Sequence, residues 1–185
     1  LLRTLPYPAD LHNSVLIRAG CQGTRLLPHT DHCTKPMLLV DAKPMLEIIL
    51  EQCLESGFRD FYFSVNYLKE QIINYFERGE KWGVSINYLE EDVPLGTAGS
   101  LQLLPASIQV PFLVMNGDVL SRLDHLQLLN FHCEHNALAP MCVREHEVNV
   151  PFGVVQIDGV ELAGFVETLR YVHLVNAGLY LIDPK

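Results

Sequence analysis

Short apolar runs and longer amphipathic stretches alternate along most of this chain. Residues 14–19 (SVLIRA) form an apolar run of strand length, and the glycine- and proline-interrupted segment that follows cannot hold a long helix before Lys43. From 44 to 56, Met45, Ile48, Ile49 and Cys53 recur at helical spacing, with Pro44 suited to a first turn and Gly57 to a stop. The alternation then repeats: 61–65 (FYFSV) reads as a strand, 67–79 as a helix closed by glycine, and 84–90 (VSINYLE) as a strand. After a turn at 94–96 and a short helix, 110–118 (VPFLVMNGD) is almost wholly apolar until polar residues close it, as expected of a central strand. A helix at 123–135 precedes four β-prone stretches, 137–145, 152–158, 162–167 and 171–183. Strands separated by helices imply a parallel sheet, and the strand-rich last third is expected to complete it as a mixed one.

Length and composition narrow the classes. A chain of 185 residues, 49% hydrophobic and 19% charged, can bury a good core and is expected to form one folded unit. Residues 1–13, with two prolines and no period, read as an arm or linker from a preceding region, and 14–185 as the domain itself. The start at Leu1 and the end at Lys185, just after an apolar run, lead to the expectation of a domain truncated at its C-terminal end. A formal charge of −9 argues against a general footprint for nucleic acid or an anionic membrane, so an anionic ligand must be held by a local site. The five cysteines are odd in number and form no C-x-x-C pair, which fits a reducing cytoplasm. No stretch approaches the ~18 apolar residues of a membrane helix.

Ligands of open α/β sheets gather at the carboxyl ends of strands, which singles out three places. In Gly20-Cys21-Gln22-Gly23-Thr24-Arg25 the glycines allow a phosphate close to the backbone, Arg25 offers a bidentate positive fork, and Lys35 could close over the same anion. Taken alone, this loop is equally a surface turn with a solvated arginine. Asn116-Gly117-Asp118 closes the most apolar strand, where Asp118 could hold Mg²⁺, although Asn-Gly-Asp is also good turn chemistry. Leu95-Gly96-Thr97-Ala98-Gly99 is either a polar-ligand loop or an ordinary glycine turn before a helix. All three fall after strands on what should be one edge of one sheet. His132, Cys133 and His135 have metal-like spacing but read as a solvated helix face, and Glu90, Glu91 and Asp92 as a solvated acidic turn.

These residues carry a resemblance. The chain resembles the sugar-1-phosphate nucleotidyltransferases, in the branch related to mannose-1-phosphate guanylyltransferase, from Ser14 to Pro184. The family signature A-G-G-x-G-T-R-L with a following Lys-Pro is matched by Ala19, Gly20, Gly23, Thr24, Arg25, Leu26, Lys35 and Pro36. Its N-G-D, L-G-T-A-G and V-N-A-G are matched at 116–118, 95–99 and 175–178. The resemblance implies a Rossmann-like three-layer αβα sandwich on a mixed, mostly parallel sheet, of the nucleotide-diphospho-sugar transferase type. It also implies a nucleoside triphosphate and a sugar 1-phosphate as substrates, Mg²⁺ as cofactor, and pyrophosphate as leaving group, with GTP slightly preferred. By the same likeness Arg25, Lys35 and Asp118 are catalytic, and Asp118 holds the metal. Ala19, Gly20, Gly23, Thr24, Gly96, Thr97 and Gly117 would then bind nucleotide, and Asn116, Glu167 and Asn176 the sugar. A homo-oligomer and an N-terminal regulatory domain in the intact protein are further expectations of this kind.

Four positions depart from the family pattern. Cys21 stands in place of the second glycine, Arg18 in place of an apolar residue, and Thr34 in place of a proline. Glu-Lys-Pro reads here as Glu167-Thr168-Leu169, without the lysine that would grip the sugar phosphate. Such changes raise an alternative, a catalytically silent homologue that binds nucleotide sugars as a regulatory subunit. A dinucleotide-dependent oxidoreductase is the third reading, and it lacks its G-x-G-x-x-G fingerprint after the first strand.

Overall fold

The computed structural model describes residues 11–93, 95–96 and 98–185. Of the arm expected at 1–13, residues 1–10 lie outside the described residues, as does the candidate nucleotide-binding residue Thr97, while residues 11–13 are instead the start of the first strand, with Leu11 paired to Phe58. The elements follow in the order β1 (Leu11–Arg18), β2 (Leu39–Val40), β3 (Lys43–Pro44), α1 (Met45–Glu55), β4 (Phe58–Val65), α2 (Lys69–Phe76) and β5 (Ser85–Glu90). Then come β6 (Phe112–Asn116), α3 (His125–His135), β7 (Met141–Val150), β8 (Val154–Asp158), β9 (Glu161–Val166) and β10 (Leu169–Ile182). Six strands form one sheet in the order β5-β4-β1-β6-β10-β7. β1 runs parallel to both β4 and β6, β4 runs parallel to β5, and β10 is antiparallel to β6, so the sheet is mixed and mostly parallel as expected.

Why β1 and β4 lie inside the sheet, away from its edges, follows from their composition. Val15 and Ile17 of β1 pair across to Phe61 and Phe63 of β4, and all four are fully buried. α1 lies over β4 because Leu46, Ile49, Leu50 and Cys53, spaced by three and four, present one buried stripe. Cys53 Sγ reaches Met115 Sδ of β6 at 3.6 Å, and Phe76 of α2 meets Phe63 edge-on at 5.3 Å. Burying side chains of this size contributes roughly 1.5–3 kcal/mol each, which makes this layer the main source of stability. On the opposite face Leu16, Leu89, Phe112 and Val114 form a second cluster, covered by Leu101, Leu104 and Ile108. That cover is thin: its regular part is a 3-10 turn at Gly99–Leu103, where a short helix was expected.

Two details correct the sequence reading. The helix expected over 67–79 stops at Phe76, because Glu77 takes φ 48 and Gly79 φ 90. A Cβ on Gly79 would lie 2.7 Å from Val84, so the chain can turn there only as glycine. The strand-rich last third does not all join the main sheet: β8 and β9 pair with each other as a separate two-stranded sheet.

The described residues divide into two compact units, one within 11–141 and 178–185, the other of residues 142–177. Among the described residues no helix is long and apolar enough to cross a membrane.

Candidate functional site at the carboxyl edge of the sheet

β1 ends at Arg18, which pairs with Ser64 on one side and Asn116 on the other. Three parallel strands thus end side by side, and the chain leaves each as a polar loop. Ala19 is fully buried and its N–H donates to the Ser64 carbonyl at 2.8 Å, which carries the first loop straight out of the sheet. A Cβ on Gly20 would come within 3.2 Å of Asn66, so a larger residue would push the loop off its neighbour. Cys21, exposed, is not among the residues with positive φ, so its side chain is carried without left-handed strain. Gly23 does need its glycine: φ is 67, and an added Cβ would sit 2.9 Å from Lys35 Cβ. Its carbonyl accepts from Thr30 Oγ1 at 3.0 Å and from the Leu26 N–H at 2.8 Å, closing a 3-10 turn at Thr24–Leu26.

Lys35 begins the next 3-10 turn, Lys35–Met37. The loop before it is tied to α2, where Gln71 accepts from the Thr34 N–H at 3.2 Å and donates to the His32 carbonyl at 2.7 Å. Held this way, the Lys35 ammonium donates to Asp118 Oδ2. Asp118 arrives from the other side of β1. Gly117 allows it, since its N–H donates to the Arg18 carbonyl at 2.9 Å and a Cβ there would lie 2.9 Å from that oxygen. A charged pair made by residues 83 apart is the meeting of two loops that the sequence flagged separately.

Beside this pair lies an open cavity of about 220 Å³, lined by Arg18, Gly20, Cys21, Ser64, Glu91, Gly96, Asn116 and Asp118. Four of its residues, Gly20, Gly96, Asn116 and Asp118, are expected site residues. Gly23, Thr24 and Lys35 stand in the adjoining loops, and Arg25 is exposed on the first 3-10 turn, outside the cavity lining. Glu167 and Asn176 belong to the second unit, where both are exposed.

Glu91 corrects the reading of a solvated acidic turn. Its carboxylate accepts from Ser64 Oγ and from the Leu95 N–H at 3.0 Å, and its own carbonyl accepts from Asn66 Nδ2. It therefore forms a cavity wall and anchors the start of the second glycine loop. Its position directly after β5 is the signal that could have found it, by the same strand-end rule that selected Asp118. Arg18 also finds the partners that its place required: Nη1 donates to Asn116 Oδ1 at 3.0 Å and Nη2 to the Gly96 carbonyl at 2.9 Å.

His132 is a further correction, being buried rather than solvated: its Nδ1 lies 2.7 Å from the Ala137 carbonyl, and Cys133 and His135 are exposed. Among the described residues no three His, Cys, Asp or Glu stand close enough to cage a metal ion. A lone strand-end carboxylate still fits a hard divalent cation that keeps waters and phosphate oxygens as its other ligands. Asp118, with a side chain 21% exposed, is such a carboxylate.

An open, mostly parallel sheet with glycine-built loops and a polar cavity at its carboxyl edge defines a class of α/β domains that take ligands at their strand ends. Within that class the family is settled by comparison: the nucleotidyl transferase model matches residues 14–185, and the chain belongs to that family. Mannose-1-phosphate guanyltransferase of Yarrowia lipolytica is 35% identical over 178 residues, covering 92% of this chain and 49% of that protein. Mannose-1-phosphate guanylyltransferase catalytic subunit beta of Drosophila melanogaster is 34% identical over 177 residues, covering 92% and 48%. The chain thus spans about half the length of the curated relatives it matches. Among solved structures, HddC from Yersinia pseudotuberculosis superposes with a TM-score of 0.71 at 24% identity, covering 92% of this chain and 76% of that one. The same protein complexed with GMP-PN gives 0.68 at 25% identity, with the same coverage.

Proposed function

We propose that this chain carries the nucleotide-binding half of an enzyme that joins the nucleoside monophosphate of a triphosphate to a sugar 1-phosphate, releasing pyrophosphate, with GTP preferred and Mg²⁺ required. The observation that carries the reading is the Lys35–Asp118 pair beside the glycine loop, at the edge of the sheet where three parallel strands end. The guanine preference is supported by relatives named as guanylyltransferases and by the GMP-PN complex of a structural neighbour.

In this reading the backbone at Gly20 and Gly23 and the side chain of Arg25 hold the triphosphate, and Asp118 holds the cation. Bound there, Mg²⁺ would offset charge on the phosphates. An oxygen of the sugar phosphate bonds to the α-phosphorus while the bond to the β-phosphate bridging oxygen breaks, and its electron pair leaves on pyrophosphate. That nucleophile is already ionised at neutral pH, so the protein supplies position and positive charge instead of a base. Lys35 must then exchange Asp118 for the reacting phosphate, a move that its side chain, 27% exposed, permits. Gly96 and Gly117 line the nucleotide, and Asn116 takes a sugar hydroxyl.

One observation favours a second reading. The stretch Glu167-Thr168-Leu169 lacks a lysine, and Thr168 turns there with φ 56, which a β-branched residue rarely adopts. A homologue that binds a nucleotide sugar without turnover would carry such a change.

Pyrophosphate release separates the two, measured with Mg²⁺, the five common nucleoside triphosphates and a panel of sugar 1-phosphates. Release with GTP that falls by about 10²–10³-fold in Asp118→Asn and stops on chelation of the metal supports the transferase, the magnitude being that of one lost electrostatic contact at a reacting phosphate. Nucleotide binding without release from any pair supports the silent homologue.

A further inference from the structure

Arg18 is an unexpected residue for the end of a buried strand, and the sequence offers no reason for its charge. Its backbone lies between Ser64 and Asn116 in the sheet, and its side chain reaches over the strand ends into the cavity. There each terminal nitrogen takes a separate acceptor, Asn116 Oδ1 at the end of β6 and the Gly96 carbonyl on the loop after β5. The two acceptors lie 98 and 78 residues away in sequence, so this one planar group ties the ends of three segments together.

Both acceptors gain from being held. Gly96 sits at φ 75, a conformation glycine reaches easily and also leaves easily. Its neighbour Leu95 is held by the Glu91 carboxylate, so two consecutive residues of the loop are pinned, one by an anion through N–H and one by a cation through C=O. The Asn116 amide is constrained from two sides. Its Oδ1 accepts from Arg18, and its Nδ2 lies 2.6 Å from where a Cβ on Gly178 would stand, so the amide has room in this place only because residue 178 is glycine.

From this geometry we infer that Arg18 is a positioning residue, a latch that sets the second glycine loop and the Asn116 amide in their ligand-ready arrangement before nucleotide arrives. A preformed loop spares the ordering cost of binding, so the latch acts on affinity. Lysine cannot replace it: one ammonium is a point donor and can serve one of the two acceptors well. The inference rests on the proposed nucleotide site for its effect on affinity, and on the geometry alone for its effect on the loop.

The test compares the wild-type chain with Arg18→Met and Arg18→Lys in three measurements: amide hydrogen exchange over 95–100, GTP affinity by calorimetry, and pyrophosphate release resolved into kcat and KM. The latch requires faster exchange at Leu95 and Gly96 in both variants, with GTP affinity weaker and KM higher by about tenfold in Arg18→Met, the loss expected for a hydrogen bond to a charged group. Turnover at saturation should stay within about threefold, because Arg18 does not hold the reacting phosphorus. Arg18→Lys should fall between the two and guards against a methionine variant that fails to fold. Unchanged exchange in a folded Arg18→Lys overturns the inference, as does a loss confined to kcat. If the wild-type chain binds no nucleotide, the proposed function fails while the exchange measurement still decides the latch.

Discussion

The two compact units of this chain treat similar sequence patterns in opposite ways. In the first unit the apolar runs disappear from solvent: Val15, Leu16, Ile17, Phe61 and Phe63 are fully buried under α1, α2 and the 99–108 segment. In the second, β8 and β9 also carry apolar residues along their length, yet the cross-strand pairs Val155–Phe165 and Ile157–Leu162 stay open, with Ile157 71% and Phe165 63% exposed. A period of two says which side chains share a face and says nothing of what covers it. Burial in the first unit comes from a layer that its own sequence supplies, the helical stripe of α1 and the aromatic pair of Phe63 with Phe76.

The comparison breaks first if the core of the first unit proves expendable. Phe63→Ala removes a ring that contacts Phe76 and Tyr88 with nowhere for the neighbours to collapse. A loss of about 3–5 kcal/mol is expected, a fall of roughly 10 °C or more in Tm for a chain of this size. A shift of only a few degrees in a thermal melt would mean that this layer is not where stability resides.

The next effect is on backbone. Gly178 in β10 has φ 72, and a Cβ would stand 2.6 Å from Asn116 Nδ2, so Gly178→Ala meets both strain and a clash. About 2–3 kcal/mol of destabilisation is expected from the two together. Because the displaced atom belongs to the Asn116 amide, assigned above to the sugar, the KM for the sugar 1-phosphate should rise as Tm falls, and a variant that melts early yet keeps its KM would separate Asn116 from the site.

Smaller again is a pH effect in the first unit. His125 is 2% exposed and packs edge-on against Phe58. Ser56 Oγ donates to the Gln52 carbonyl and so accepts from His125 Nδ1–H, which leaves Nε2 buried as a bare acceptor with no partner among the described residues. Burial lowers the pKa of this imidazole below its ordinary value, and the nearby Asp124 opposes that only in part. The unfolded chain therefore binds more protons than the folded one, so stability is full above about pH 6.5 and declines as the pH falls below it. An NMR titration should give His125 a midpoint below the ordinary histidine value, and His125→Phe should flatten the fall in Tm between pH 7 and pH 5. A midpoint at or above the ordinary histidine value in the folded state would sink this account.

Most of the first unit was legible because continuous apolar runs and a helical stripe are strong signals when they alternate. The strand-end rule places Asp118, Gly20 and Gly96 on one edge without any knowledge of their contacts. What stayed hidden depended on partners distant in sequence. Glu91 reads as one of three acids in a row, and only Ser64 on the neighbouring strand and the Leu95 N–H make it a wall of the cavity. Arg18 demanded a partner, but the pattern could not say that it had two. For β8 and β9 the strands were visible and their pairing was not, because alternation fits a hairpin as well as a place in the main sheet.

The finest test of the contrast is a substitution expected to do almost nothing. Ile157 stands opposite Leu162 on the open side of the β8–β9 hairpin and is 71% exposed, so Ile157→Thr removes little that is buried and keeps a β-branched residue in the strand. The expected change in stability is within about 0.5 kcal/mol, against the several expected at Phe63. A face carrying Val155, Ile157, Leu162 and Phe165 in the open should also bind an apolar dye, and the threonine should lower that binding. If Ile157→Thr instead costs as much as a core substitution, the hairpin face is packed in solution, and the difference between the two units lies in what covers them and not in whether they are covered.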